Sequence, residues 1–180
     1  MTSFIDMRRL ARALCLPAVL ACHWSPAAAQ GVSTEQSVRA AMVFNFLKFT
    51  EFPPELIANV QWIRLCISVA DPRQAEALAA LSGRKLWGRE LIVADLAGKN
   101  GDCQALYVDS RQRWSAAVEQ YALRRTVTIS AYPGFARQGG MIEIALQEDG
   151  VRFDINLAES RRAGFRFFPQ LLRLARQIHE

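Results

Sequence analysis

Two histidines and four cysteines are all the imidazole and thiol this 180-residue chain has for chemistry. His23, Cys15 and Cys22 fall within the first 29 residues, and His179 is the next-to-last residue. A Ser-His-Asp or Cys-His centre needs an imidazole beside its nucleophile. Past residue 29 only His179 could serve, on a terminal turn expected to fray. A structural zinc site ordinarily takes four Cys or His ligands, and only Cys66, Cys103 and His179 remain. Gly83-Arg84-Lys85 and Gly88-Arg89 look phosphate-friendly, but no Walker pattern surrounds them. They are read as a turn entering a strand. The carboxylates of Glu143 and Asp154 are placed diagonally across a hairpin, with Ala145 opposite Asp154, which does not suit paired acid and base work. The expectation is a chain without cofactor or metal that works by binding.

The first 29 residues read as a secretory leader. Arg8, Arg9 and Arg12 form a basic start, Ala13 to Ala21 a short apolar stretch, and Ala27-Ala28-Ala29 a small-residue cleavage site before Gln30. The apolar stretch is too short to span a bilayer, which takes about 20 residues. A lipoprotein site at Cys22 is the lesser reading. The expected organisation is 1-29 signal peptide and 30-180 one α/β domain, exported to the periplasm with no membrane span in the mature chain. About 150 residues suffice for one domain with its own core.

Hydrophobic residues make up 51% of the chain, which excludes disorder. Formal charge is +5, of which the leader takes +2. The remaining excess is scattered in pairs such as Arg124-Arg125 and Arg161-Arg162. Nucleic-acid binding calls for a continuous basic track with interleaved aromatics, and none is visible.

The elements that must position any site follow from periodicity. Ser33 to Thr50 reads as a helix, with capping-box spacing at Ser33 and Gln36, apolar residues at Val38, Ala41, Met42, Phe46 and Phe49, and a second apolar stripe at Phe44 and Leu47 that would cover it on two sides. Asn45 is placed on its inner side. Strands are expected at Trp62 to Ala70, Leu86 to Leu96, Ala105 to Val108 and Thr126 to Ser130. Helices are expected at Pro72 to Leu81 and Arg111 to Arg125. This alternation predicts a single layered α/β domain with a largely parallel central sheet flanked by helices. A C-terminal antiparallel hairpin follows, with Asp149-Gly150 as its two-residue turn. That turn sets Leu146 opposite Phe153 and Ile144 opposite Ile155. Glu143, Ala145, Arg152, Asp154 and Asn156 then form a wet outer face. A closing helix from Pro169 turns Leu171, Leu174, Ala175 and Ile178 inward.

Cys66 lies mid-strand and Cys103 just before the third strand. First and third strands are neighbours in many doubly wound sheets. Export and even parity favour a bridge between them; the alternative is two separate buried thiols.

Several segments, in order, resemble the YfiR-like family of periplasmic proteins. They are Phe44 to Pro53, Leu65-Cys66-Ile67, Leu86-Trp87-Gly88-Arg89, Cys103 with its following strand, Phe135 to Ile142, Val151 to Leu157, and Ala163-Gly164-Phe165 with Leu171 to Ala175. The resemblance implies a periplasmic α/β protein without enzymatic activity. Such proteins restrain a membrane-bound diguanylate cyclase by binding its periplasmic sensor part, keeping cyclic-di-GMP and biofilm low. Release comes from an outer-membrane lipoprotein partner or a redox change. Cys66 and Cys103 match the family's first disulfide; a second, near Ala136 and Glu143, has no cysteines here, which counts against a redox-sensing role.

Two functional expectations follow. The first is a regulatory module whose partner-binding patch comprises Ile142, Glu143, Arg152, Asp154 and, within the following stretch Ala158 to Arg162, Ser160. An exposed Ile142 supplies its apolar centre, and Asp154→Lys is expected to spare the fold. The second is a small-solute sensor with a crevice lined by Asn45, Trp87 and Tyr132. A homodimer is compatible with either.

Overall fold

The computed structural model describes residues 35–96, 103–121, 123–147 and 150–180. The expected leader and the proposed cap at Ser33 lie outside these residues.

The first helix, α1 (Glu35–Lys48), buries Ala40, Val43, Phe44, Phe46 and Leu47. Their spacing makes one broad apolar face. Phe44 and Leu47 of the expected second stripe are buried together with Phe46 of the first, while Ala41 and Asn45, expected inside, are exposed. β1 (Thr50–Glu51) and the one-turn α2 (Pro54–Ile57) follow. β2 (Trp62–Ser68) leads into α3 (Pro72–Ala79), whose N-cap Asp71 accepts from the Arg73 backbone N–H at 2.9 Å. That bond, joined by one from Gln36, holds the Asp71 carboxyl below its ordinary range.

The segment expected as a single strand from Leu86 is a hairpin of β3 (Lys85–Leu86) and β4 (Arg89–Asp95). Leu86 pairs with Arg89, leaving Trp87 and Gly88 as the loop, with φ of 52° and 79°. Two left-handed residues make the turn whose twist matches the flanking strands. Glycine is at home there; tryptophan is not, which hid the turn from sequence reading.

β5 (Ala105–Val108), α4 (Arg111–Gln120) and β6 (Val127–Ser130) come next. Every residue of β5 and β6 is buried, as central parallel strands covered on both faces require. β7 (Ile142–Gln147) and β8 (Gly150–Asn156) form the antiparallel hairpin. α5 (Leu157–Arg162), β9 (Arg166–Phe167), α6 (Pro169–Leu172) and β10 (Gln177–His179) complete the chain.

The eight-stranded sheet runs β10-β8-β7-β6-β5-β2-β4-β3, and β1 pairs with β9 in a separate two-stranded ribbon. Within the eight-stranded sheet pairing is parallel except at β7–β8 and β3–β4, and the β1–β9 ribbon is antiparallel. This is the layered, largely parallel α/β sheet expected, with its antiparallel hairpin near the C-terminus. Alternation along the strands divides the core. Ile63, Leu65, Ile67, Ala105 and Tyr107 join the cluster that includes α1 and α3 residues. Cys66, Leu106 and Val108 join Trp114, Ala117 and Phe135 in a second cluster, which holds the Cys66–Cys103 disulfide (Cα–Cα 5.7 Å).

Two C-terminal expectations are corrected. In the hairpin, Ile142 faces Ile155, Glu143 faces Asp154, Ile144 faces Phe153 and Gln147 faces Gly150. Gly150 therefore belongs to the strand, not to the turn. The slip is two residues, so each side chain keeps its face, but the two carboxylates are now directly opposite. The closing helix stops after one turn at Leu172, and β10 pairs in parallel with β8. The Arg176 N–H donates to Phe153 O at 2.8 Å, which draws the chain alongside the sheet. Leu174 and Ile178, expected inside, are 71% and 41% exposed.

Candidate functional site

The face of the hairpin expected to be wet carries a buried polar network. Glu143 and Asp154 lie opposite one another and are both buried. Like charges facing across a strand pair repel, and each carboxylate is compensated separately. Glu143 accepts from the backbone N–H groups of Gly134 (2.9 Å) and Ala136 (3.1 Å). Asp154 accepts a forked pair from Arg176, Nε at 2.8 Å and a terminal nitrogen at 2.7 Å. This bonding to Asp154 raises the Arg176 pKa further. Asn156 ties the same region together: its amide donates to Ala136 O at 2.7 Å, and its oxygen caps α5 through the Glu159 N–H at 2.9 Å.

One function of the network is mechanical: it fastens the loop between β6 and β7, and the start of β10, to the hairpin. The resemblance places a second disulfide near Ala136 and Glu143; here a carboxylate-to-amide bond joins those two positions.

The expected partner patch is therefore not an exposed apolar surface. Ile142 is completely buried in the main core. Ser160 is also buried, with its hydroxyl near the Leu157 and Phe165 carbonyls. Of the five residues only Arg152 is exposed. Asp154→Lys would set a second cation against Arg176, so the expectation that it spares the fold is withdrawn.

Nor do Asn45, Trp87 and Tyr132 form one crevice. Asn45 points to solvent from α1. Tyr132 is buried against Phe135, ring centroids 5.2 Å apart, in the disulfide cluster. Burial pushes its hydroxyl up to about 12. Trp87 is 46% exposed and stands edge-on to Phe168 at 5.5 Å. These two line a groove of about 390 Å³ with Phe52 and Ile57.

A second surface lies on the segment from α5 to α6, of which the expected patch had taken in only the stretch Ala158 to Arg162. Arg161 and Arg166 line a groove of about 540 Å³ floored by Leu157, Phe165, Phe167 and Leu172. Guanidiniums above an apolar floor suit a ligand surface carrying carboxylates beside aliphatic groups. The signal was the pair Arg161 and Arg166, which read as scattered charge in sequence and are brought to one groove by the fold. No helix among the described residues is long and apolar enough to cross a membrane.

No curated protein matches this chain. Among solved structures, a conserved domain protein from Vibrio cholerae O1 biovar El Tor strain N16961 is similar at 12% identity and a TM-score of 0.48. The alignment covers 81% of this chain and 60% of that one, so this chain spans less than two thirds of the other's length. The profile of the YfiR/HmsC-like family matches residues 36–176, from the second residue of α1 to the arginine that grips Asp154. With that span covering nearly all of the described fold, this chain belongs to the YfiR/HmsC-like family.

Proposed function

We propose that this chain is a periplasmic regulator that acts by occupying a partner's surface rather than by turnover. Its partner is the periplasmic part of a membrane diguanylate cyclase, which it holds in the inactive state, lowering cyclic-di-GMP and biofilm formation. An outer-membrane lipoprotein that binds the regulator would release the cyclase. The observation that carries this reading is the family match across 36–176; the family is one of regulators. The Cys66–Cys103 bridge supports it, because such a clasp suits an oxidising compartment.

A repressor of this kind needs differential affinity, not a catalytic group. Moving a two-state partner from 1:99 to 99:1 takes about 5.5 kcal/mol of preference for one state. The arginine-lined groove between α5 and α6 is the surface we assign to that task, with Arg152 on the neighbouring strand.

The test is co-purification of the tagged, exported chain with the cyclase from detergent-solubilised membranes. The wild-type chain retains the cyclase, and Arg161→Glu/Arg166→Glu, both at exposed positions, loses most of it. Full retention by that variant removes the groove from the account. No cyclase with either chain removes the partner assignment.

A second reading, a sensor of a small aromatic solute, has the Trp87–Phe168 groove in its favour. A thermal shift with aromatic amino acids that Trp87→Ala abolishes would support it over the first.

A further inference from the structure

The sheet has two unlike ends. At one, β3 is two residues long and folds back onto β4. At the other, β10 pairs with β8 along one side, and among the described residues no strand lies beyond it. An open edge presents unpaired backbone N–H and C=O groups that another strand can take up. Proteins ordinarily blunt such an edge with charge or cover it. Here the edge strand carries Ile178, 41% exposed, and Leu174 just ahead of it is 71% exposed. The family match ends at residue 176, so β10 lies past the shared segment.

Charge selects the occupant. Residues 161–180 contain five arginines and one carboxylate, Glu180. Arg162 is paired with Glu159 and Arg176 with Asp154. Arg173, exposed at the approach to β10, and Arg161, on the helix that packs against β10, make no ion pair among the described residues. A second copy docking edge to edge would bring the same cations together, because a two-fold interface uses one patch twice. An acidic strand meets attraction instead.

We infer that the outer edge of β10 is a docking site for an extended, acidic segment of a partner protein. The segment adds as a further strand, its backbone bonding to β10, its aliphatic side chains on Leu174 and Ile178, and its carboxylates toward Arg173. This mode of recognition takes affinity from main-chain bonds and specificity from alternate side chains. Only the partner's identity rests on the regulatory reading; the chemistry of the edge does not.

The experiment is amide hydrogen exchange on the full exported chain, alone and with end-blocked ten-residue peptides of alternating valine and glutamate or valine and lysine. The acidic peptide slows exchange at 177–179 at least tenfold and the basic peptide does not. Arg173→Glu and Ile178→Asp, both at exposed positions, each weaken the acidic peptide's binding about tenfold with an unchanged Tm. Raised salt narrows the difference between peptides. Unaltered exchange at 177–179, equal slowing by both peptides, or unweakened binding by both variants overturns the inference. So does slowing without peptide that grows with protein concentration, which would mean that a second copy takes the edge. Deleting the gene tests the regulatory reading separately. Unchanged cyclic-di-GMP on deletion sinks that reading and leaves the peptide result standing. A cyclase repressed equally well by Arg173→Glu, with no peptide effect, sinks the docking site and leaves regulation standing.

Discussion

Removing the Cys66–Cys103 bridge tests how the scaffold is held. The two cysteines are 37 residues apart and both are buried, at 0% and 4% exposure. Their Cα atoms, 5.7 Å apart, fall in the ordinary range for a disulfide. The bridge joins the middle of β2 to the residue two before β5, beside a four-residue parallel ladder that pairs Leu65 to Ser68 with Ala105 to Val108. Cys66→Ala/Cys103→Ala leaves that ladder in place and frees the unfolded chain. For a loop of this length the chain-entropy relation gives about 13 cal/mol/K, or about 4 kcal/mol at 25 °C. The net stability of such a domain is about 5–15 kcal/mol, so the loss is a large share. With a urea m-value of about 2 kcal/mol/M, the unfolding midpoint falls by about 2 M. The assay is urea unfolding followed by far-ultraviolet circular dichroism, comparing the double variant with the oxidised chain. A midpoint shift under about 0.5 M, equivalent to about 1 kcal/mol, refutes the reasoning and shows that the hydrophobic cluster alone holds β2 to β5.

Glu143→Ala leaves the buried N–H groups of Gly134 and Ala136 without their acceptor. The expected loss is about 3 kcal/mol, read as a lower urea midpoint; a loss under 1 kcal/mol means that water replaces the carboxylate. Asp154→Lys breaks a pair in which Asp154 is nearly enclosed and Arg176 about a third exposed. It should cost about 3 kcal/mol, with exchange at 177–179 accelerating first as β10 loosens. Stability equal to wild type would restore Asp154 as a simple surface residue. Burial raises the hydroxyls of Tyr107 and Tyr132 to about 12. The folded chain then keeps protons that the unfolded chain sheds from about pH 10. Stability on this account is full below pH 10 and declines between pH 10 and 12. Phenolate absorbance from these two residues in the folded protein appears near pH 12, and full ionisation of all the tyrosines by pH 10.5 without unfolding contradicts it.

The central sheet was legible because its strands speak in local terms. β5 and β6 are short apolar runs bounded by turn residues, and β2 lies in a run rich in branched side chains that stops before Asp71-Pro72. The neighbour relation of β2 and β5 followed from how parallel sheets wind and made the bridge plausible, while export and even parity favoured it over two separate buried thiols. What failed depended on partners distant in sequence. Glu143 and Asp154 alternate with apolar residues and so read as solvent-facing. They are inside because a loop from β6 and an arginine twenty-two residues on reach back to them. The same reach converts the expected final helix into β10: Leu171, Leu174, Ala175 and Ile178 have helical spacing, but the Arg176 fork and its N–H bond to Phe153 override it. Gly150 was taken for a turn residue because Asp-Gly is a strong hairpin signal. Its pairing to Gln147 puts it in the strand and shifts the register by two. Among the site residues, alternation set Ile142 on the same face as Ile144, and choosing it as an exposed patch centre went against that pattern: β7 lies between β6 and β8 with its first residues covered on both faces.

The most direct test of the central claim is intracellular cyclic-di-GMP, quantified by mass spectrometry in cells with the gene deleted, restored, or restored without the first 29 residues. A repressor acting outside the cytoplasm predicts a several-fold rise on deletion, return to the starting level with the exported chain, and no return with the unexported one. A level that stays flat in all three strains contradicts it.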